Sequence, residues 1–104
     1  MNEKYGKIRK EDLDTVKKAV KIFHKHKLNV GLHGTSLWNH RYKDIDMLVT
    51  SKSNKAKHFL DALEELKHVH GIRIVEERGD KETGLDYYIE IGTLVLHLSY
   101  VVLL

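Results

Sequence analysis

Residues 85–101 constrain the fold more than any other stretch of the chain. Leu85, Tyr87, Ile89 and Ile91 alternate with polar residues, Gly92-Thr93 interrupts, and Leu94, Leu96 and Leu98 resume the alternation. Period-two alternation marks a half-buried strand, and two runs separated by a two-residue glycine turn form an antiparallel hairpin. With Gly92-Thr93 as the turn, Glu90 pairs with Val95, Tyr88 with His97 and Asp86 with Ser99. All six side chains then share one face, while the apolar set shares the other. Such a chain must build a sheet packed on one side, with Asp86, Glu90 and His97 on the polar side.

The rest of the chain supplies the partners. At 104 residues it is read as one domain, residues 1–104, with 41% hydrophobic and 32% charged residues, as in an ordinary globular protein. Leu13, Val16, Ala19, Val20 and Phe23 predict a helix over 10–27. Strands are expected at 28–32, 44–50, 72–77, 85–91 and 94–101, with a short helix or turn at 35–41 and a polar turn at 78–84. A second helix, capped by Ser51 or Ser53 and running to about His68, carries Ala56, Phe59, Leu60, Leu63 and Leu66 on one stripe. The expected fold class is α/β or α+β, a mixed sheet flanked by helices.

Cysteine is absent, which removes disulfides and thiolate metal sites and fits a reducing, cytoplasmic setting. No apolar run approaches the roughly 20 residues of a membrane span, and Met1 to Lys10 does not read as a signal peptide. The net charge of +3 favours anionic partners only mildly. His24 with His26, and His68 with His70, are two apart, a helical spacing that does not converge on one ion.

The chemistry concentrates in Leu32-His33-Gly34-Thr35-Ser36 and Lys43-Asp44-Ile45-Asp46-Met47-Leu48-Val49. On a strand, residues two apart point the same way, so Asp44 and Asp46 set two carboxylates side by side. Ile45, Met47 and Val49 face the core. Paired carboxylates supply hard oxygen ligands for Mg²⁺, and a small-residue turn can offer backbone N–H groups to phosphate.

Gly34-Thr35-Ser36 followed by Asp44-Ile45-Asp46 resembles the signature of the polymerase-β-like nucleotidyltransferase superfamily. The wording from Leu32 to Trp38 and from Arg41 to Asp46 is closest to its small members, the minimal nucleotidyltransferases and AbiEii-type toxins. The resemblance spans roughly residues 10–104, with its specific part at residues 32–49. It implies Mg²⁺-dependent transfer of a nucleoside monophosphate from an NTP to a hydroxyl of a protein, RNA or small molecule. Asp44 and Asp46 would hold two Mg²⁺ ions, with Glu90 as third acid and Asp86 as second choice. Gly34, Thr35 and Ser36 would hold phosphates. Arg41 and Lys43 are read either as triphosphate or acceptor contacts or as surface cations.

Three departures open a second reading, the first being Gly34-Thr35 in place of the usual Gly-Ser or Gly-Gly. Eight residues separate Thr35 from Asp44, a short spacing, and Val95-Leu96-His97-Leu98 has a histidine where several relatives carry an acid. The alternative is a catalytically silent module of the same fold that binds a protein partner, as in toxin–antitoxin pairs, or nucleic acid. A small domain of this kind would complete its site with a partner protein or as a homodimer. A plain RNA-binding domain ranks lower, because no surface aromatic platform is evident. Lys52, Lys55 and Lys57 are read as a solvated helix face or an RNA contact. Trp38 is expected to pack the short helix on the sheet rather than stack a base, and His33 either touches phosphate or is structural.

Overall fold

The computed structural model describes residues 5–51, 56–80 and 84–102. The first helix, α1, spans Lys10–Lys25 and buries Val16, Ala19, Val20, Ile22 and Phe23. Glu11 and Asp12 lie in its first turn, where carboxylates suit the positive end of the helix dipole. Strand β1 (Asn29–His33) leads to a 3₁₀ turn at Thr35–Leu37 and then to β2 (Ile45–Ser51). Helix α2 (Ala56–His70) follows, then β3 (Arg73–Asp80), β4 (Gly84–Ile91) and β5 (Leu94–Val102). Ser51 is thus the last, buried residue of β2, while Ser53, Lys52 and Lys55 lie outside the described residues.

The strands form one sheet in the order β1-β2-β5-β4-β3. β2 runs parallel to β5, and the other neighbours are antiparallel. The sheet is therefore mixed, and the architecture is α+β. The hairpin register is as read from the alternation: Glu90 opposes Val95, Tyr88 opposes His97 and Asp86 opposes Ser99.

One expectation needs correction. Residues 78–84 are not wholly a turn, because β3 continues to Asp80 and β4 begins at Gly84. Pairing of Gly79 with Leu85 and of Asp80 with Gly84 draws the polar segment into the sheet. The two chains approach so closely there that a Cβ on Gly79, whose φ is +91°, would overlap the Gly84 carbonyl.

Both helices cover the same sheet face. Phe59 of α2 stacks on Phe23 of α1 at 6.1 Å and on Tyr100 of β5 at 4.8 Å between ring centroids. It also meets Tyr87 of β4 edge-on at 5.6 Å. Ile45, Met47, Val49, Ile89, Leu96 and Leu98 fill the layer beneath. The opposite sheet face carries no helix among the described residues, and the polar side chains of β2, β4 and β5 lie there. No helix among the described residues is long and apolar enough to cross a membrane.

Because Phe59 joins both helices to two strands, Phe59→Ala should cost about 3–5 kcal/mol. Urea unfolding followed by circular dichroism measures this, and a loss below about 1 kcal/mol would show that the aromatic cluster is not the centre of the core.

Candidate active site

The site begins where β2 emerges from the loop after the 3₁₀ turn. Tyr42 anchors that loop. Its ring is buried, its hydroxyl donates to Asp12 Oδ2 at 2.5 Å and accepts the Arg9 N–H at 3.0 Å, and the Arg9 guanidinium lies 4.2 Å from the ring centroid. Burial, then the bond to Asp12, raises the Tyr42 pKa. The loop is thereby tied to the start of α1, with Arg41 and Lys43 exposed on either side. Sequence reasoning missed Tyr42. Its one local signal is an aromatic residue set between two cations.

Asp44 and Asp46 are half-buried, and Ile45, Met47 and Val49 point into the core. Burial raises the Asp44 pKa, the charge of Asp46 raises it further, and His97 opposes both. The two carboxylates therefore feel one another, although Asp44 lies in the bend just before β2, which begins at Ile45 rather than at residue 44 as expected. Gly34 lies against Asp46. Its φ is +83°, and a Cβ there would overlap the Asp46 carboxylate. Only glycine allows the turn to come so close.

Within the turn, Thr35 is exposed. Ser36 is fully buried, and its Oγ finds no partner among the described residues. Its carbonyl instead accepts the Lys7 N–H at 2.8 Å. The hydroxyl offered to solvent is that of Thr35. Trp38 corrects a further expectation: it is 67% exposed and does not pack on the sheet. The 3₁₀ helix ends at Leu37, so it is too short to carry the indole inward.

His97 holds the centre of the polar face. In register it stands opposite Asp46 on one side and Tyr88 on the other. Nδ1 lies 2.9 Å from Asp46 Oδ1, and Nε2 lies 2.6 Å from Asp86 Oδ1. A carboxylate only accepts hydrogen bonds, so a ring between two of them is favoured in the charged form that donates from both nitrogens. Burial alone lowers the His97 pKa, but the bonds to Asp46 and Asp86 and their charges outweigh it and leave it raised. Ser99 Oγ donates to the same Asp86 oxygen at 3.1 Å, and Tyr88 stacks flat on the imidazole at 4.2 Å.

Glu90 lies elsewhere on this face. It is on β4, two strands from β2, and forms an ion pair with Arg73 of β3. Asp86 is the acid linked to Asp46, through His97. On the other side of Asp46 the β1 partner is His33, whose side chain is exposed. Beyond it a shallow, largely apolar hollow of about 270 Å³ is lined by Gly31, Leu32, His33, Leu48 and Ser99.

This donor set suits one hard cation. Asp44 and Asp46 repel one another, and a divalent ion would relieve that repulsion. Mg²⁺ is commonly held by one or two carboxylates together with substrate phosphates. Among the described residues, no group of three His, Asp or Glu side chains converges in ligating geometry.

No family model matches the chain, and no curated protein is significantly similar to it. Among solved structures, a cytoplasmic RNA terminal U-transferase is similar in fold, with a TM-score of 0.55 over 94% of this chain at 12% identity. The chain spans 33% of that protein's length. The likeness is one of fold, and it agrees with the minimal nucleotidyltransferase architecture.

Two outcomes follow from this geometry. His97 has a folded pKa above its unfolded value of about 6.5, so its stabilisation is complete below that value. It is lost as pH rises through the folded pKa. The difference in melting temperature between wild type and His97→Asn should therefore shrink from about pH 6 upward, and a constant difference would contradict the clamp. Gly34→Ala should cost about 1–2 kcal/mol from its left-handed backbone and should also displace Asp46. Thermal melting reads the first effect and nucleotide affinity the second.

Proposed function

We propose that this domain binds a nucleoside triphosphate at the start of β2 and transfers its nucleotidyl group to a hydroxyl of RNA, protein or a small molecule. The observation that carries this reading is the contact between the Gly34 turn and Asp46, beside Asp44. A small-residue turn and paired carboxylates are brought within one side chain's reach at the mouth of a single strand.

In the transfer, the acceptor oxygen forms a bond to the α-phosphorus while the bond to the bridging oxygen breaks. Pyrophosphate departs with the electron pair, and the acceptor's proton passes to solvent. Asp44 and Asp46 are the ligands for Mg²⁺, which when bound supplies charge neutralisation for the triphosphate and its leaving group. Gly34 and Thr35 receive the terminal phosphates, with Ser36 fixing the turn from below. Arg41 and Lys43, exposed beside the acids, offset the negative charge of the triphosphate. Trp38 presents an open ring face for a base. The hollow by Leu48 and Ser99 gives the acceptor an apolar floor next to Asp46. Glu90, engaged by Arg73, shapes the rim of the face.

The second reading has its own support. A module of this fold that holds nucleotide without turnover, or docks a protein partner or a second copy on the open sheet face, accords with the histidine beside Asp46. Turnover separates the two readings.

The chain contains a single tryptophan, so Trp38 fluorescence reports nucleotide binding directly. Wild type should show Mg²⁺-dependent quenching by an NTP and should move label from an α-labelled NTP to an acceptor in cell extract. Asp44→Asn with Asp46→Asn should lose the label transfer and weaken metal-dependent binding by about 100-fold or more. Quenching without transfer would establish the silent module. Neither signal would remove the nucleotide from the site.

A further inference from the structure

A second divalent ion at this site would need oxygen donors beside Asp46, and the structure puts side chains of another kind there. Asp46 has two cross-strand neighbours, His33 on β1 and His97 on β5. Both are histidines, and Mg²⁺ favours oxygen over imidazole nitrogen. The acid that reaches this neighbourhood from β4 is Asp86, and it is already engaged: His97 Nε2 lies 2.6 Å from its Oδ1, and Ser99 Oγ donates to that same atom. Glu90 is drawn to Arg73.

The imidazole is fixed in this place. Tyr88 lies parallel to it within 3°, at 4.2 Å, and the side chain is four-fifths buried. Carried on β5, between β2 and β4, the ring contacts Asp46 through Nδ1 and Asp86 through Nε2 and so occupies the space between these two carboxylates that a shared ion would need.

We infer that the site takes one divalent ion, on Asp44 and Asp46, and that the His97 side chain fills the place of a second. This rests on the nucleotide-binding reading given above. It carries a chemical consequence. The acceptor hydroxyl is not activated by a second ion held between Asp46 and Asp86.

The test counts ions rather than turnover. Mn²⁺ is titrated into the chain with an equimolar, non-hydrolysable α,β-methylene NTP, and free Mn²⁺ is read by electron paramagnetic resonance. The expected result is one tightly held ion per chain, weakened in Asp44→Asn/Asp46→Asn. His97→Asp, checked for its fold by circular dichroism, should take up a second ion. Two ions in wild type would overturn the inference while leaving nucleotide binding intact, and that result needs no variant to fold. A folded His97→Asp protein that still holds one ion would overturn the role given to His97. If the double Asp→Asn variant holds its ion as tightly as wild type, the nucleotide-binding reading itself falls.

Discussion

The parallel pairing of β2 with β5 is the constraint on which the site depends. It sets Asp46 opposite His97 and Ile45 opposite Leu96, so polar and apolar rows of the two strands coincide. A slip of one residue would turn every side chain to the wrong face, placing the carboxylates against Phe59 and the core. The antiparallel partner β1 brings the glycine turn back to the same end of β2, against Asp46. The central strand pair thus gathers a turn, two acids and a histidine that the chain order leaves far apart.

Electrostatics then gives the polar face its character. Asp44 is held above its usual range by burial and by Asp46, a state favouring any cation that can approach. Asp46 and Asp86 are partly neutralised by the ring between them. The acids are therefore unequal: among the described residues Asp46 and Asp86 each bond to the ring, and Asp44 forms no ion pair.

How much of this was legible in the sequence follows from how local each feature is. The Gly92-Thr93 hairpin sets its own register, so the pairings of Asp86, Tyr88 and Glu90 were readable, whereas Asp44, read as the first residue of the strand, lies in the bend before it. Strand order is not local. Nothing in the residues around Glu90 reveals that β5 lies between it and β2, or that Arg73 waits on β3. The clamp on His97 needs both the hairpin register and the β2–β5 pairing, and only the first was available. Trp38 and Ser36 were misplaced or left open for a related reason. A turn of three residues has no periodicity from which to tell an inward side chain from an outward one. The extension of β3 through Gly79 arose from pairing with β4, which overrode a turn-like composition.

The bond between Asp46 and His97 joins residues 51 apart in the chain. Hairpins close quickly, but a parallel contact between distant segments must meet a larger loop-closure cost before it gains anything. During folding, β4 and β5 can pair with each other well before β2 reaches them, and until then the two aspartates have no histidine to face. Asp46 and His97 sit on β2 and β5, strands in the interior of the sheet, whereas the Gly34 turn follows the edge strand β1, so the two halves of the site differ in how readily they open locally. Protection of the β2 and β5 amides from hydrogen exchange is thus a direct measure of how long the half that holds Asp46 and His97 persists.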